Sequence, residues 1–267
     1  MHKLTLQFTK ELKLRNYARR TIVCYAGWIE KIMAFSRTCS TLPRVERLNQ
    51  FFLSQTQNLV GAAQANAALQ LYFEIILKRE CPYQLNRTRS RKRVPIVLSK
   101  EEIERILETV LNDKHYAMIA MMYGSGLRVS EVVSLRVGDI DLATNRVYVH
   151  DAKQHKDRYT TFSPRLVAII CKLKAGRTGS ELLFLNRFGQ GYAVRTIQYL
   201  FDKAMAMAGI DKAATCHTLR HSFATHLLEN GMDIKTIRDL LGHSNLKTTL
   251  IYMHTADILQ RNIPSPF

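Results

Sequence analysis

From Cys216 to Met253 the chain reads CHTLRHSFATHLLENGMDIKTIRDLLGHSNLKTTLIYM, and two glycines interrupt its helical periodicity in quick succession. Asn230-Gly231 ends a first helix, because glycine enters the left-handed conformation that closes helices without steric cost. Asp233 is a good N-cap for a second helix, which stops at Gly242. Ser244 opens a third, with Leu246, Leu250 and Met253 at near-helical spacing and Tyr252 on that helix or at its end. Breaks this close force the helices to fold back on one another. His217, Arg220, His243 and Tyr252 are thereby expected to face one place.

These residue types narrow the chemistry. The set matches no metal-binding spacing, no Ser-His-Asp order and no glycine-rich phosphate loop. Arginine grips a phosphate through two parallel hydrogen bonds, and tyrosine is a candidate covalent nucleophile. Phosphoryl transfer is the reaction class that uses both. His217 and His221, four residues apart, mimic a zinc pair, yet neither a HExxH glutamate nor a cysteine set lies near them, so no metal is expected.

The bulk properties agree. The chain has 267 residues and a net charge of +17, with a pI near 9.9. That points to a polyanionic partner, although basic faces are often merely solvated. Cys24, Cys39, Cys81, Cys171 and Cys216 show no metal spacing and are odd in number, the usage of a reducing compartment. The N-terminus is too charged for a secretory signal and no apolar run is long enough to span a membrane, so a cytoplasmic protein is expected.

His217-Thr218-Leu219-Arg220-His221, then Leu240-Leu241-Gly242-His243-Ser244, then Tyr252 nine residues after His243 together resemble the C-terminal active-site boxes of tyrosine recombinases, the phage integrase and Xer family. The resemblance is gapless over this stretch. It implies a mainly α-helical protein with a small antiparallel β-hairpin or sheet, arranged as a two-domain DNA clamp. A helical core-binding (SAM-like) domain is expected over 1–88, a basic linker over 89–97 and the α+β catalytic domain over 98–267.

The residues of each part fit this division. Ile22, Tyr25, Ile29, Ile32 and Phe35 form one helical stripe, Val45, Leu48 and Phe52 a shorter one, and Val60 to Lys78 a third helix. Five of the seven residues from Arg87 to Arg93 are basic and no apolar periodicity runs through them. Arg87, Arg89, Arg91, Lys92 and Arg93 are a solvated tether or, in a DNA clamp, a stripe along phosphates. Ser99 and Glu102 make a capping box, with Ile103, Ile106, Leu107 and Val110 as the buried face of the helix they open.

In the catalytic half, GLRVSE resembles the first arginine box of the family, in which Arg128 holds the scissile phosphate and Glu131 supports the site through hydrogen bonds. A glutamate in the first turn also favours the helix by itself. Arg146–His150 and Arg158–Phe162 alternate as two strands around a polar turn. The family has a lysine in such a turn that protonates the leaving oxygen, which by position is Lys153, with Lys156 as second choice and a DNA contact. Ser163-Pro164 begins another helix, and Val194 to Ala208 forms one more, carrying Arg195, Gln198 and Lys203, ended by Gly209.

The roles implied by the resemblance follow. Tyr252 attacks the phosphodiester in line, Arg128 and Arg220 clamp it, and His243 donates a hydrogen bond. Lys153 is the general acid, and His217 assists proton transfer or positions Tyr252. No cofactor is expected. The expected partner is a double-stranded DNA recombination site, bound by a homo-tetramer on two sites, with a related recombinase or an accessory DNA-bending protein as further partners and a prokaryotic nucleoid as the setting. Integration or excision of mobile DNA and resolution of chromosome dimers all use such chemistry. The alternative is a type IB topoisomerase-like enzyme, which uses a similar residue set. His221, His226 and His254 read as structural or solvent-facing.

Overall fold

The computed structural model describes residues 3–39, 41–55, 59–83, 95–150, 157–243 and 249–250. They fall into two compact units, Met1–Arg91 and Lys92–Phe267.

The first unit is helical. Helices α1 (Lys3–Leu14), α2 (Arg19–Thr38), α3 (Arg44–Ser54) and α4 (Leu59–Tyr72) pack with α2 against the other three, and α4 continues into a π-helical turn, Phe73–Leu77. Ala62, Ala65 and Ala68 are buried on α4, so that helix can approach α2 closely. Phe8, Leu12, Ile22, Trp28, Ile29, Ile32 and Tyr72 complete the core. The second expected stripe is corrected in part: Leu48 and Phe52 are buried together with Phe51, but Val45, in the first turn of α3, stays 43% exposed. Phe51 and Phe52 meet edge to face at 5.4 Å, a favourable ring arrangement that the three-four spacing alone does not show.

The second unit is built around α6 (Asp113–Gly124), whose residues Ala117 to Met122 are all buried. A helix apolar on every side belongs in the centre of a core. Around it pack α5 (Lys100–Glu108), α7 (Val129–Ser134), α8 (Val167–Lys174), α9 (Val194–Met207) and α10 (Cys216–Glu229), followed in sequence by α11 (Ile234–Leu241). Ser99 caps α5 as expected: its hydroxyl accepts the Glu102 N–H at 3.2 Å, and the Glu102 carboxylate accepts the Ser99 N–H at 2.7 Å. Asp233 caps α11 through the N–H groups of Lys235 and Thr236.

Three antiparallel strands form one sheet in the order β1 (Ile140–Asp141), β2 (Arg146–Val149), β3 (Arg158–Thr161). Val147 pairs with Thr160 and Val149 with Arg158. Both expected strands are present, each one residue shorter at its end. β1 was not legible in the sequence, since two residues carry no periodicity. On the inward face Val147, Val149, Arg158 and Thr160 are buried, and the Thr160 hydroxyl donates to the Ser125 carbonyl at 2.8 Å, tying β3 to the corner between α6 and α7. α11 packs against β3. Among the described residues no helix is long and apolar enough to cross a membrane.

Candidate active site

The site begins at two glycine corners. Gly126, between α6 and α7, has φ +63°, and a Cβ there would lie 2.5 Å from the Phe223 ring of α10. Gly242, after α11, has φ +64°, and a Cβ there would lie 2.7 Å from the Arg158 side chain. Only glycine brings the backbone this close in this conformation. The corners deliver Arg128 and His243 to the same region.

Arg220 fastens the two corners together. It is fully buried on α10, and its Nη1 donates to the Gly126 carbonyl at 2.6 Å. Its Nη2 donates to the Leu241 carbonyl, at the end of α11. One turn before it on the same helix stands His217, whose ring meets that of His221 edge to face at 4.5 Å.

Glu131 is the hub beneath them. One carboxylate oxygen accepts the Arg128 N–H at 2.7 Å, and the other accepts the Arg128 guanidinium at 2.6 Å. Arg158 forks onto the same two oxygens at 3.0 and 2.8 Å, and the Arg220 Nη1 lies 3.8 Å away. Burial by itself would raise the Glu131 pKa. The hydrogen bonds and charge of Arg158, the Arg128 N–H and the charge of Arg220 more than offset it, leaving a pKa of about 2. Three guanidiniums against this one carboxylate leave the cluster two charges positive, suited to an anion.

The histidines are held neutral. Burial pushes His243 down to about 3, helped by Arg220, Arg128, Arg158 and His217. Burial also lowers His217, with Arg220 and Arg128 adding to it, and takes His221 to about 4, with His217 and Arg220 adding to it. The His243 Nδ1 is 3.0 Å from the hydroxyl of Thr249, a fully buried residue, and this contact fixes the ring orientation.

A pH dependence follows. These histidines resist protonation in the fold, whereas in the unfolded chain they titrate near ~6.5. Below that pH the unfolded state binds more protons, so stability falls with pH. The melting temperature should therefore decline as pH drops from about 6.5 toward about 4, the His221 value. Glu131 adds its own loss as pH falls from the ordinary carboxylate range toward its depressed pKa of about 2. A melting temperature that stayed level between about pH 7 and 4.5 would contradict this charge state.

The structure thus brings together Arg128, Glu131, His217, Arg220 and His243 of the expected set. Lys153, Lys156, Tyr252, His254, Arg87, Arg89, Arg91, Lys92 and Arg93 lie outside the described residues. His226, read as structural or solvent-facing, is buried with its Nδ1 2.9 Å from the Tyr123 hydroxyl. His221, read as structural or solvent-facing, is half-buried against His217. Sequence reasoning missed Arg158 and Thr249. Arg158 left a signal: it stands in phase with Thr160 and Phe162 on the buried face of a strand, where a charge must find a partner.

The comparisons with known proteins agree with this geometry. The profile of the phage integrase family matches residues 97–258, more than half of the chain. An integrase/recombinase of Escherichia coli is 31% identical over 97% of this chain and 91% of its own length. The tyrosine recombinase XerC of Bacillus subtilis is 30% identical over 93% of this chain and 90% of its own. In fold, the chain is similar to a lambda integrase (75–356) dimer bound to a COC′ core site, at a TM-score of 0.73 and 18% identity, covering 93% of this chain and 96% of that one. With its boxes folded around one buried glutamate and its length shared with these relatives, the chain belongs to the phage integrase family of tyrosine recombinases.

Proposed function

We propose that this chain is a site-specific DNA recombinase in which Tyr252 attacks a phosphodiester, forms a 3′-phosphotyrosine and releases a 5′ hydroxyl. The observation that carries the reading is the convergence of Arg128 and Arg220 on Glu131 with His217 and His243 beside those arginines, positive charge being in excess and the imidazoles neutral. Arg128, with its side chain 35% exposed, reaches solvent. Arg220 is enclosed, so its contact with a phosphate requires the pocket to open around it. Charge on the nonbridging oxygens is then neutralised by two guanidiniums, and such electrostatic stabilisation is usually the largest contribution to lowering barriers of this kind.

His243 serves by donating a hydrogen bond from Nε2. A neutral ring can do so only if Nδ1 accepts, which makes the Thr249 hydroxyl the donor of their 3.0 Å contact. Thr249→Val keeps the shape and removes that donor. It should slow cleavage about 10-fold, the equivalent of one hydrogen bond, with DNA affinity unchanged. Comparing single-turnover cleavage with a gel-shift titration checks this.

Lys153 is the acid for the leaving oxygen and His217 assists the tyrosine. The covalent link stores the energy of the broken bond, so rejoining to another 5′ hydroxyl needs no ATP, and no metal is invoked. The partner is a double-stranded recombination site, in keeping with the core-site DNA on lambda integrase. The relatives are recombinases and integrases, which favours strand exchange over topoisomerase-like relaxation. The helical unit over 1–88 is assigned to binding the core DNA, the basic linker over 89–97 to phosphates, and the working assembly to a tetramer on two sites in the cytoplasm.

The test is trapping on nicked suicide duplexes drawn from DNA flanking the gene, without metal or ATP. A denaturing gel should show a protein–DNA adduct whose peptide map ends at Tyr252. Relaxation of unrelated supercoiled plasmid, with no adduct on the flanking DNA, would favour the topoisomerase reading.

A further inference from the structure

Arg158 opens β3, five residues after Lys153 in the sequence, and its side chain is only 5% exposed. It makes three hydrogen bonds to two separate segments. Nη1 and Nη2 fork onto the Glu131 oxygens at 3.0 and 2.8 Å, and Nε donates to the Leu240 carbonyl of α11 at 2.8 Å. Its aliphatic stem lies against Gly242, immediately before His243. The strand that carries it pairs with β2 and is pinned to the corner between α6 and α7 by Thr160.

Stability alone does not call for such a residue. A buried ion pair is often replaceable by apolar groups without loss, while its geometry is more restrictive than any apolar contact. Glu131 already has Arg128 and Arg220 for partners. A third guanidinium on that carboxylate adds charge that folding has no use for, in a place where an anion would. It also sets the orientation of the carboxylate, because its planar fork holds both oxygens through one guanidinium.

We propose that Arg158 is a positioning residue for strand cleavage, bracing the carboxylate that holds Arg128 and the end of α11 that holds His243 at a fixed separation. It touches no reacting atom. It acts by setting where the arginine clamp and the imidazole stand relative to each other. This rests on the reading of the site as a phosphodiester-cleaving one. Misplacement of a catalytic group by about 1 Å costs on the order of 10²-fold in rate, which sets the size of the expected effect.

The experiment uses the full chain with Arg158→Met and Arg158→Lys, read by single-turnover cleavage of a suicide duplex at saturating DNA, by half-saturation for DNA, and by pH profile. All assays run well below each protein's melting temperature. The groups facing Glu131 are Arg128, Arg158 and Arg220, with His217 and His243 beyond them. Removing Arg158 takes away the strongest of the influences that keep the buried carboxylate ionised. Arg158→Met should therefore cleave on the order of 10²-fold more slowly, with half-saturation within about 3-fold of wild type. The acid limb of its pH profile should move to higher pH. Arg158→Lys keeps the charge without the fork, so its acid limb should return toward the wild-type position while its rate recovers only in part.

Wild-type cleavage by either folded variant overturns the inference, as does a rate loss matched by an equal loss of DNA binding and no movement of the pH profile. If Arg158→Met does not fold, the rate and pH profile of Arg158→Lys decide by the same criteria. Failure of the wild type itself to form an adduct counts against the proposed reaction and not against Arg158 in particular.

Discussion

Glu131→Ala should destabilise the catalytic unit by about 3–5 kcal/mol, the cost of stripping the partner from a buried charge. In a unit of this size that corresponds to a fall in melting temperature of roughly 10 °C. The magnitude follows from what would remain. Arg158 and Arg220 are buried and Arg128 is half-buried. Without the carboxylate these like charges face one another across a region of low dielectric, and the two donors of Arg158 that the carboxylate took have no acceptor there. Glu131→Gln keeps one acceptor oxygen and the side-chain volume but introduces an amide N–H₂ toward guanidiniums, so it should fall between alanine and wild type. Calorimetry of the three proteins at pH ~7 and moderate salt decides the matter. A loss under about 1 kcal/mol for alanine would mean that the cluster relaxes outward and its charges reach water.

Tyr252→Phe should abolish the covalent adduct, a reduction of at least ~10³-fold, while leaving DNA affinity as it was. The substitution removes one oxygen and keeps the ring, so it takes away the proposed nucleophile alone. Salt-dependent gel shifts on the duplex and a denaturing gel on the suicide substrate separate the two properties. An adduct at wild-type yield would place the nucleophile on another of the eleven tyrosines.

What the sequence made legible was what neighbouring residues determine. Gly231, Asp233 and Gly242 end and begin helices by their own backbone preferences. The Ser99–Glu102 box spans one turn and reads the same in the chain and in the fold. Arg128, Arg220 and His243 could be chosen because a resemblance of boxes pointed to them, whereas their convergence needed the fold. For Arg158 the strand phase signalled a buried charge but not its partners. Its partners lie 27 and 82 residues away, at Glu131 and Leu240, and no local pattern encodes such a meeting. Thr249 was passed over for a related reason: a threonine on a helical stretch gives no sign that it will orient a histidine six residues earlier. The π-helical turn after Tyr72 is likewise a product of packing, since Phe73 to Leu77 has the composition of ordinary helix.

Arg220 joins carbonyls that lie 94 and 21 residues from it, at Gly126 and Leu241. In the reaction proposed above the same guanidinium is thus a tool of cleavage as well as a rivet of the architecture. For a lineage that abandons strand exchange and keeps only an affinity for DNA, the two uses separate. Selection for cutting would lapse, but selection for a folded chain would continue to hold this arginine in place. An intact arginine box in a descendant is therefore poor testimony that its bearer still recombines anything.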